Sequence, residues 1–211
     1  PTLADTGAFT NLTSLTNAAQ PLTATAGLVR YDVNAPFWSD GARKSRWFLG
    51  ATNLKIGFQP EGNWSLPEGM AWVKHFDLEL TNGVASSAQR LETRFLVKNS
   101  NGVYGVTYRW GNSLTNATLV PEEGMDESFV IKDGGTIRTQ VWHYPSRIEC
   151  LSCHTAQGGW ALGFNTLQMN TWETVAQIEN MSASGYFLEP VTNAFALRAL
   201  ASATNQSASL E

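Results

Sequence analysis

The run "AWVKHFDLEL" (residues 71–80) decides the fold. Alternation places Trp72, Lys74, Phe76, Leu78 and Leu80 on one face and Val73, His75, Asp77 and Glu79 on the other. A repeat of two is that of a β-strand, whereas a helix repeats every 3.6 residues. The pattern recurs downstream. "RLETRFLVKN" (90–99) sets Leu91, Thr93, Phe95 and Val97 on one face, and "GVYGVTYRW" (102–110) does the same with Tyr104, Val106, Tyr108 and Trp110. "ESFVIKD" (127–133) and "TIRTQVWHY" (136–144) follow. The separators "TNG", "SNG" and "DGG" are turn signals, and the pairs Asn82-Gly83 and Asn101-Gly102 suit tight hairpins because both residue types tolerate positive φ. With residues 54–59 and one or two weaker runs, six to eight strands are expected. A mainly β fold follows, and an antiparallel β-sandwich is the expected way to bury it.

After Tyr144 the pattern changes. "PSRIECLSCHT" (145–155) opens with Pro145-Ser146, a helix start with Ser146 as N-cap. A glycine-rich loop, "QGGWALGF" (157–164), comes next. "TWETVAQIENMSASG" (171–185) predicts a helix from a Thr171 cap to a Gly185 stop, and "VTNAFALRAL" (191–200) predicts another. Residues 1–28 are small and polar and are expected to form an extended leader along the surface. The expected organisation is therefore that leader, then a single β-sandwich domain over 29–211 whose segment from about 145 to 200 is helical.

Composition excludes several classes. With a net charge of −4 and 15% charged residues, the chain lacks the basic face that nucleic-acid binding needs. No run approaches the roughly eighteen apolar residues of a membrane span. Abundant Thr, Asn, Ser and Gly with few Lys suit a secreted, turn-rich β protein. The start at Pro1 with no visible signal peptide is expected of a chain already processed or cut.

The only two cysteines stand together in "CLSCH", Cys150 to His154. Cys-x-x-Cys-His is the attachment pattern of c-type haem. Two thiols one helical turn apart each add across one vinyl group, and the following histidine binds the iron as proximal ligand. A redox dithiol would be expected after a strand of a parallel α/β unit, which does not precede it here. A zinc site needs four ligands. Cys150, Cys153 and His154 could supply three, with His75 or His143 as a distant fourth. A disulfide closing so short a loop would stabilise little. The expected cofactor is one covalent haem c, held by Cys150 and Cys153 and ligated by His154.

The segments "YDVNAPFWSDGARKSRWF" (31–48), "WVKHFDLEL" (72–80), "RLETRFLV" (90–97), "GVYGVTYRW" (102–110) and "WHYPSRIECLSCHTAQGGWALGFNTLQMN" (142–170) together resemble a family of secreted bacterial c-type cytochromes. Its members share Pro-Phe-Trp-Ser-Asp-Gly-Ala, here Pro36–Ala42, and a Cys-x-x-Cys-His followed by a Leu-Gly segment. The resemblance spans about residues 30–170. It implies Cys150 and Cys153 as thioether donors and His154 as axial ligand. It also implies a periplasmic or extracellular location and a redox partner protein, with polysaccharide-oxidising enzymes as candidates. Members of the family often continue into a second Cys-x-x-Cys-His. This chain carries one, as a monohaem portion or shorter relative would.

A low-spin electron-transfer haem needs a sixth ligand, usually Met or His. His75, His143, Met70, Met125, Met169 and Met181 are available. His143 alternates with Ile137, Thr139 and Val141, is expected to point inward, and ranks first. Met169, fifteen residues after His154, ranks second, with core filling as its plainer role. His75 ranks third, on the polar face with Asp77 and Glu79, where a solvent-facing histidine is expected. An empty sixth position would instead make a haem enzyme or ligand sensor.

Other features carry less. Arg147 stands one turn before the cysteines and could pair with a haem propionate. Trp142, Tyr144 and Trp160 could pack on the ring. The loop 36–47, with its aromatics, Asp40 and basic residues, is a structural or partner-binding loop. "PEEGMDE" (121–127) lacks an ordered calcium-ligand spacing and is expected to be a solvated loop. No Ser-His-Asp arrangement, phosphate loop or glycosidase carboxylate pair is recognisable. The expected function is a periplasmic or extracellular monohaem cytochrome domain that transfers single electrons rather than a catalyst. The alternatives are a haem enzyme or sensor, and a carbohydrate-binding β-sandwich with an accessory haem, which the eight Trp would permit.

Overall fold

A computed structural model of the chain describes residues 1–51, 53–170 and 177–202. The architecture is mainly antiparallel β. Six strands form one sheet in sequence order: β1 (Leu28–Arg30), β2 (Arg43–Leu49), β3 (Ala71–Glu79), β4 (Ala88–Asn99), β5 (Gly102–Arg109) and β6 (Thr118–Leu119). β7 (Met125–Asp133) and β8 (Thr136–Tyr144) form a separate two-stranded hairpin, tied to the segment after β3 by a bridge between Lys132 and Thr81. The β7–β8 turn is Gly134-Gly135, with φ of 53° and 92°, so two consecutive residues take the left-handed conformation that the "DGG" signal provides.

The central strand reads as its alternation requires, and both of its faces are buried. One face of the sheet presents Trp47, Val73 and Tyr108 to a cluster built with Leu3, Phe9, Leu12 and Leu15. The expectation of a surface leader is thus corrected. Leu3, Phe9, Leu12 and Leu15 are each 6% exposed or less, because strand alternation leaves this second apolar face uncovered unless the first residues lie across it. Arg90, also buried, fastens them by donating to the carbonyls of Asn17 and Gln20.

The other face is divided along the strands into rows. Phe48, Trp72 and Leu96 pair across β2, β3 and β4 and pack under the C-terminal segment, with Phe164, Met169, Ile178, Met181 and Phe187. Phe76, Leu78 and Leu91 pack under the β7–β8 hairpin, against Phe129, Ile131, Trp142 and Tyr144. Between these two apolar clusters runs a row of cations, Arg46, Lys74 and Arg94, at successive register positions.

The helical segment is shorter than expected. α1 is Arg147–Cys153, α2 is Thr166–Met169 and α3 is Gln177–Ala183. α3 ends before Gly185, whose φ of 73° matches the expected stop; the Thr171 cap lies outside the described residues. The second expected helix is a single 3-10 turn, Ala194–Ala196. Residues 54–59 contribute only isolated bridges, Ile56 with Phe187 and Gly57 with Ser65, and no strand. Ile56 is buried against the C-terminal segment, so a short apolar run there served packing without a ladder partner.

Candidate functional site

Ser146 and Glu149 start α1. The Ser146 hydroxyl accepts from the Glu149 amide at 3.2 Å, and the Glu149 carboxylate accepts from the Ser146 amide at 2.7 Å. This capping box satisfies two of the helix's free amides reciprocally. Ser146→Ala is expected to lower stability by about 1 kcal/mol, the usual value of a lost N-cap, in urea melts of the purified chain. α1 then packs on β5, where Gly105 makes the approach possible: a Cβ there would lie 2.6 Å from the Cys150 sulfur.

Cys150, Cys153 and His154 line one cavity of about 720 Å³, within the range usual for cofactor pockets. Its floor is the cationic row of the sheet. Trp72 and Ala161 bound it on one side, and Phe76 and Trp142 on the other. Three donors on this wall, the Trp72 and Trp142 indole N–H groups and the Arg94 Nε–H, are buried without a hydrogen-bond partner among the described residues.

His154 caps α1 at its C-terminus. Its Nδ1 lies 2.6 Å from the Trp160 carbonyl. A carbonyl can only accept, so Nδ1 carries the proton and Nε2 keeps its lone pair. Burial, aided by Lys74 and Arg94, pushes the His154 pKa down, which keeps the ring neutral. Trp160 holds this carbonyl from a left-handed conformation, φ 64°, a strained position for a bulky side chain. A fixed, neutral imidazole with one free nitrogen is what a metal ligand requires.

Neither cysteine is in a disulfide. Burial raises the Cys150 pKa, the opposite of an activated thiolate, so a thioredoxin-like dithiol is not favoured. The zinc reading also fails on donors. Among the described residues, no group of three or more His, Cys, Asp or Glu side chains could hold a metal ion.

The remaining candidates fall elsewhere. His75 was expected to face solvent; it is buried at 3% exposure on the opposite face of the sheet, bonded to Thr93 at 2.8 Å and Asp77 at 3.1 Å beneath Trp110. Burial on both faces of β3 overrides the polar look of its neighbours. Met169 is fully buried in the aromatic core and does not line the cavity. Met70 and Met181 are likewise core residues.

The expectation that His143 points inward is corrected. In β8, Gln140, Trp142 and Tyr144 are buried, and Ile137, Thr139, Val141 and His143 are exposed. The hairpin packs through the opposite parity because Trp142 and Tyr144 bury far more apolar area than the alternate row. His143 still borders the cavity mouth, but both ring nitrogens are engaged: Nδ1 with Asp126 at 2.7 Å and Nε2 with Glu149 at 3.1 Å. Two carboxylates need two N–H donors, so the ring is held as the imidazolium.

This link fixes a pH window. Hydrogen bonds donated to Asp126 and Glu149 raise the His143 pKa above 6.5. The Ser146 amide, then His143, lowers Glu149 from 4.5 to about 2. A raised histidine stabilises fully below 6.5 and loses its contribution as pH climbs through its folded value. A lowered carboxylate stabilises fully above 4.5 and loses its contribution as pH falls through about 2. The melting temperature of the wild type should therefore exceed that of His143→Gln most between pH 4.5 and 6.5. The gap should narrow toward pH 9 and in high salt, because the pair is exposed. A gap unchanged across this range would show that His143 acts as a neutral side chain.

The cations of the floor were not recognised as a group from sequence. Lys74 stood out of place in the apolar row of "AWVKHFDLEL", and that was the available signal. Burial, then Arg46 and Arg94, lowers the pKa of both Lys44 and Lys74 to about 8. Arg147, by contrast, is turned away from the cavity and lies 3.8 Å from Glu122.

No family model, curated protein or solved structure matches this chain.

Proposed function

We propose that this chain is a monohaem c-type cytochrome domain that carries single electrons to or from a redox protein in the periplasm or outside the cell. The observation that carries the reading is the convergence of Cys150, Cys153 and a neutral His154 with a free Nε2 on one largely apolar cavity. In this reading Cys150 and Cys153 hold the haem as thioethers, and His154 binds its iron. The haem, when bound, supplies a one-electron couple. The chain's own contributions are to hold His154 in one tautomer through the Trp160 carbonyl, to exclude water with Trp72, Phe76 and Trp142, and to present one edge of the cavity at the surface near Phe37 and Trp38. The six-stranded sheet and the β7–β8 hairpin act as the two layers of a small sandwich around this site. A polysaccharide-active oxidase is the candidate partner.

The test is production in a host that matures c-type cytochromes. A Soret band and a chain mass increased by one haem after denaturation are expected. A colourless chain of unmodified mass from that host would overturn the reading.

A second reading, a haem with an open sixth position, is favoured by the engagement of both His143 nitrogens and by the distance of Met169 and His75 from the cavity. It predicts a high-spin ferric spectrum that changes on adding cyanide, and a ferrous spectrum that changes with CO. A low-spin spectrum indifferent to both would exclude it.

A further inference from the structure

Three cations stand side by side across the middle of the sheet. Arg46 pairs in register with Lys74, and Lys74 with Arg94, while Lys44 follows two residues away on the same face of β2. Like charges directly opposite on a sheet repel, and proteins normally separate or neutralise them. Here the neutralisation is incomplete. Arg94 pairs with the buried Glu92. Among the described residues, no carboxylate lies within 4.0 Å of Arg46 or Lys74. Arg46 is nonetheless only 7% exposed. The acidic side chains on the cavity wall are Asp40 and Glu149, and Glu149 is committed to His143. The floor therefore asks for an anionic ligand group.

The topology says which part of a ligand that would be. Cys150 abuts β5 at Gly105. β2 is three strands away across the sheet, about 14 Å at the usual strand spacing. A haem joined to the chain along its vinyl edge carries its two carboxylates on the edge away from the thioethers. A haem extended from Cys150 over the sheet would bring that far edge toward β2 and β3, where the cations without a carboxylate partner stand.

We propose that Arg46 and Lys74 seat the two propionates of the haem, with Lys44 beside them at the mouth of the cavity. This rests on the haem reading. It moves the propionate contact from Arg147, where sequence spacing suggested it, to the strands facing the cysteines. It also accounts for a row of like charges, buried at Arg46 and half-buried at Lys74 and Arg94, as a site completed by its cofactor.

The test uses the holoprotein, comparing wild type with Arg46→Gln, Lys74→Gln and Arg147→Gln by resonance Raman spectroscopy and redox titration. The propionate bending bands should shift in the first two variants and stay at the wild-type position in Arg147→Gln. The midpoint potential should fall in the first two, because removing a cation beside the haem favours the more positive ferric state, and should hold in the third. Should a glutamine variant yield no holoprotein, Arg46→Lys and Lys74→Arg carry the test. They preserve charge but change contact geometry, so the bands should shift while the potential stays near wild type. Propionate bands unchanged in haem-loaded Arg46 and Lys74 variants would overturn the proposal while leaving the cytochrome reading intact. A wild-type chain without haem would overturn both.

Discussion

Replacing both Cys150 and Cys153 with alanine is expected to abolish covalent haem attachment completely. In the proposed reading each thiol would form one thioether, and these are the only cysteines in the chain. Any haem left on the double variant would be held by His154 and the cavity wall alone, and acid–acetone extraction should remove all of it. The wild type should retain its haem through the same treatment. The single variants should keep haem through one bond, with a haemochrome band displaced by the remaining vinyl group. The fold should survive, because Cys153 is exposed and Cys150 half-buried, and neither belongs to an apolar cluster. Far-UV circular dichroism of the haem-free double variant checks this. Haem that resists extraction from the double variant would show that the attachment chemistry lies elsewhere. His154→Ala separates the two roles of the motif: the thioethers should form, while the proximal ligand is lost and the ferric spectrum changes.

The second large effect is expected in the aromatic cluster beside the cavity. Phe164 is 2% exposed, and its ring meets those of Tyr31, Phe48 and Trp64 at 5.2 Å and Trp72 at 5.5 Å. It comes from the loop that follows the cysteines and inserts onto the sheet, so it joins the C-terminal segment to β2 and β3. Phe164→Ala should cost about 3–5 kcal/mol, combining lost burial with the cavity left by surroundings that cannot fully collapse. That is a large fraction of the roughly 5–15 kcal/mol that stabilises an ordinary domain. It should lower the melting temperature by roughly 6–20 °C for a chain of this size. Phe195→Ala, at a side chain 57% exposed, is the control and should change stability by no more than about 0.5 kcal/mol. A Phe164 variant within 1 kcal/mol of wild type would mean that the loop after the cysteines does not anchor the C-terminal segment.

Both predictions concern the same piece of architecture. The Cys-x-x-Cys-His turn is a short helix without a buried residue of its own. It is held from outside: by the capping box at its start, by β5 beneath Cys150, and by the Trp160 carbonyl on His154. Phe164 then seals the loop that carries Trp160. Chemistry on α1 thus depends on packing that begins ten residues further on.

The legible and illegible parts of the sequence divide along physical lines. "AWVKHFDLEL", "RLETRFLVKN" and "GVYGVTYRW" read as strands because a period of two is a property of each segment alone. Pro145-Ser146 reads as a helix start because an N-cap acts within a few residues, and the structure adds Glu149 as its capping-box partner. His75, His143 and the first 28 residues were misread for one shared reason. Which face of a strand is buried depends on what lies across it, and local alternation carries no record of that. His75 seemed polar by its neighbours and is covered by Trp110; His143 alternates with apolar residues on the side that faces water.

The sequence by itself determined β3, β4, β5, β7 and β8, the Gly134-Gly135 turn, the helix start at Ser146 and the motif of two cysteines and a histidine, because all of these are set by residues close along the chain. The tight turns expected at Asn82-Gly83 and Asn101-Gly102 are instead an eight-residue connection with a 3-10 turn and the pair Ser100-Asn101. Only the tertiary structure decided that the N-terminal residues cover one face of the sheet, that His143 is tied to two carboxylates, and that Arg46, Lys74 and Arg94 meet beneath the cysteines. Most of those contacts join residues 17 or more positions apart. They arise from strand register and the burial of apolar faces, and the cost of gathering like charges becomes visible only once the strands are laid side by side.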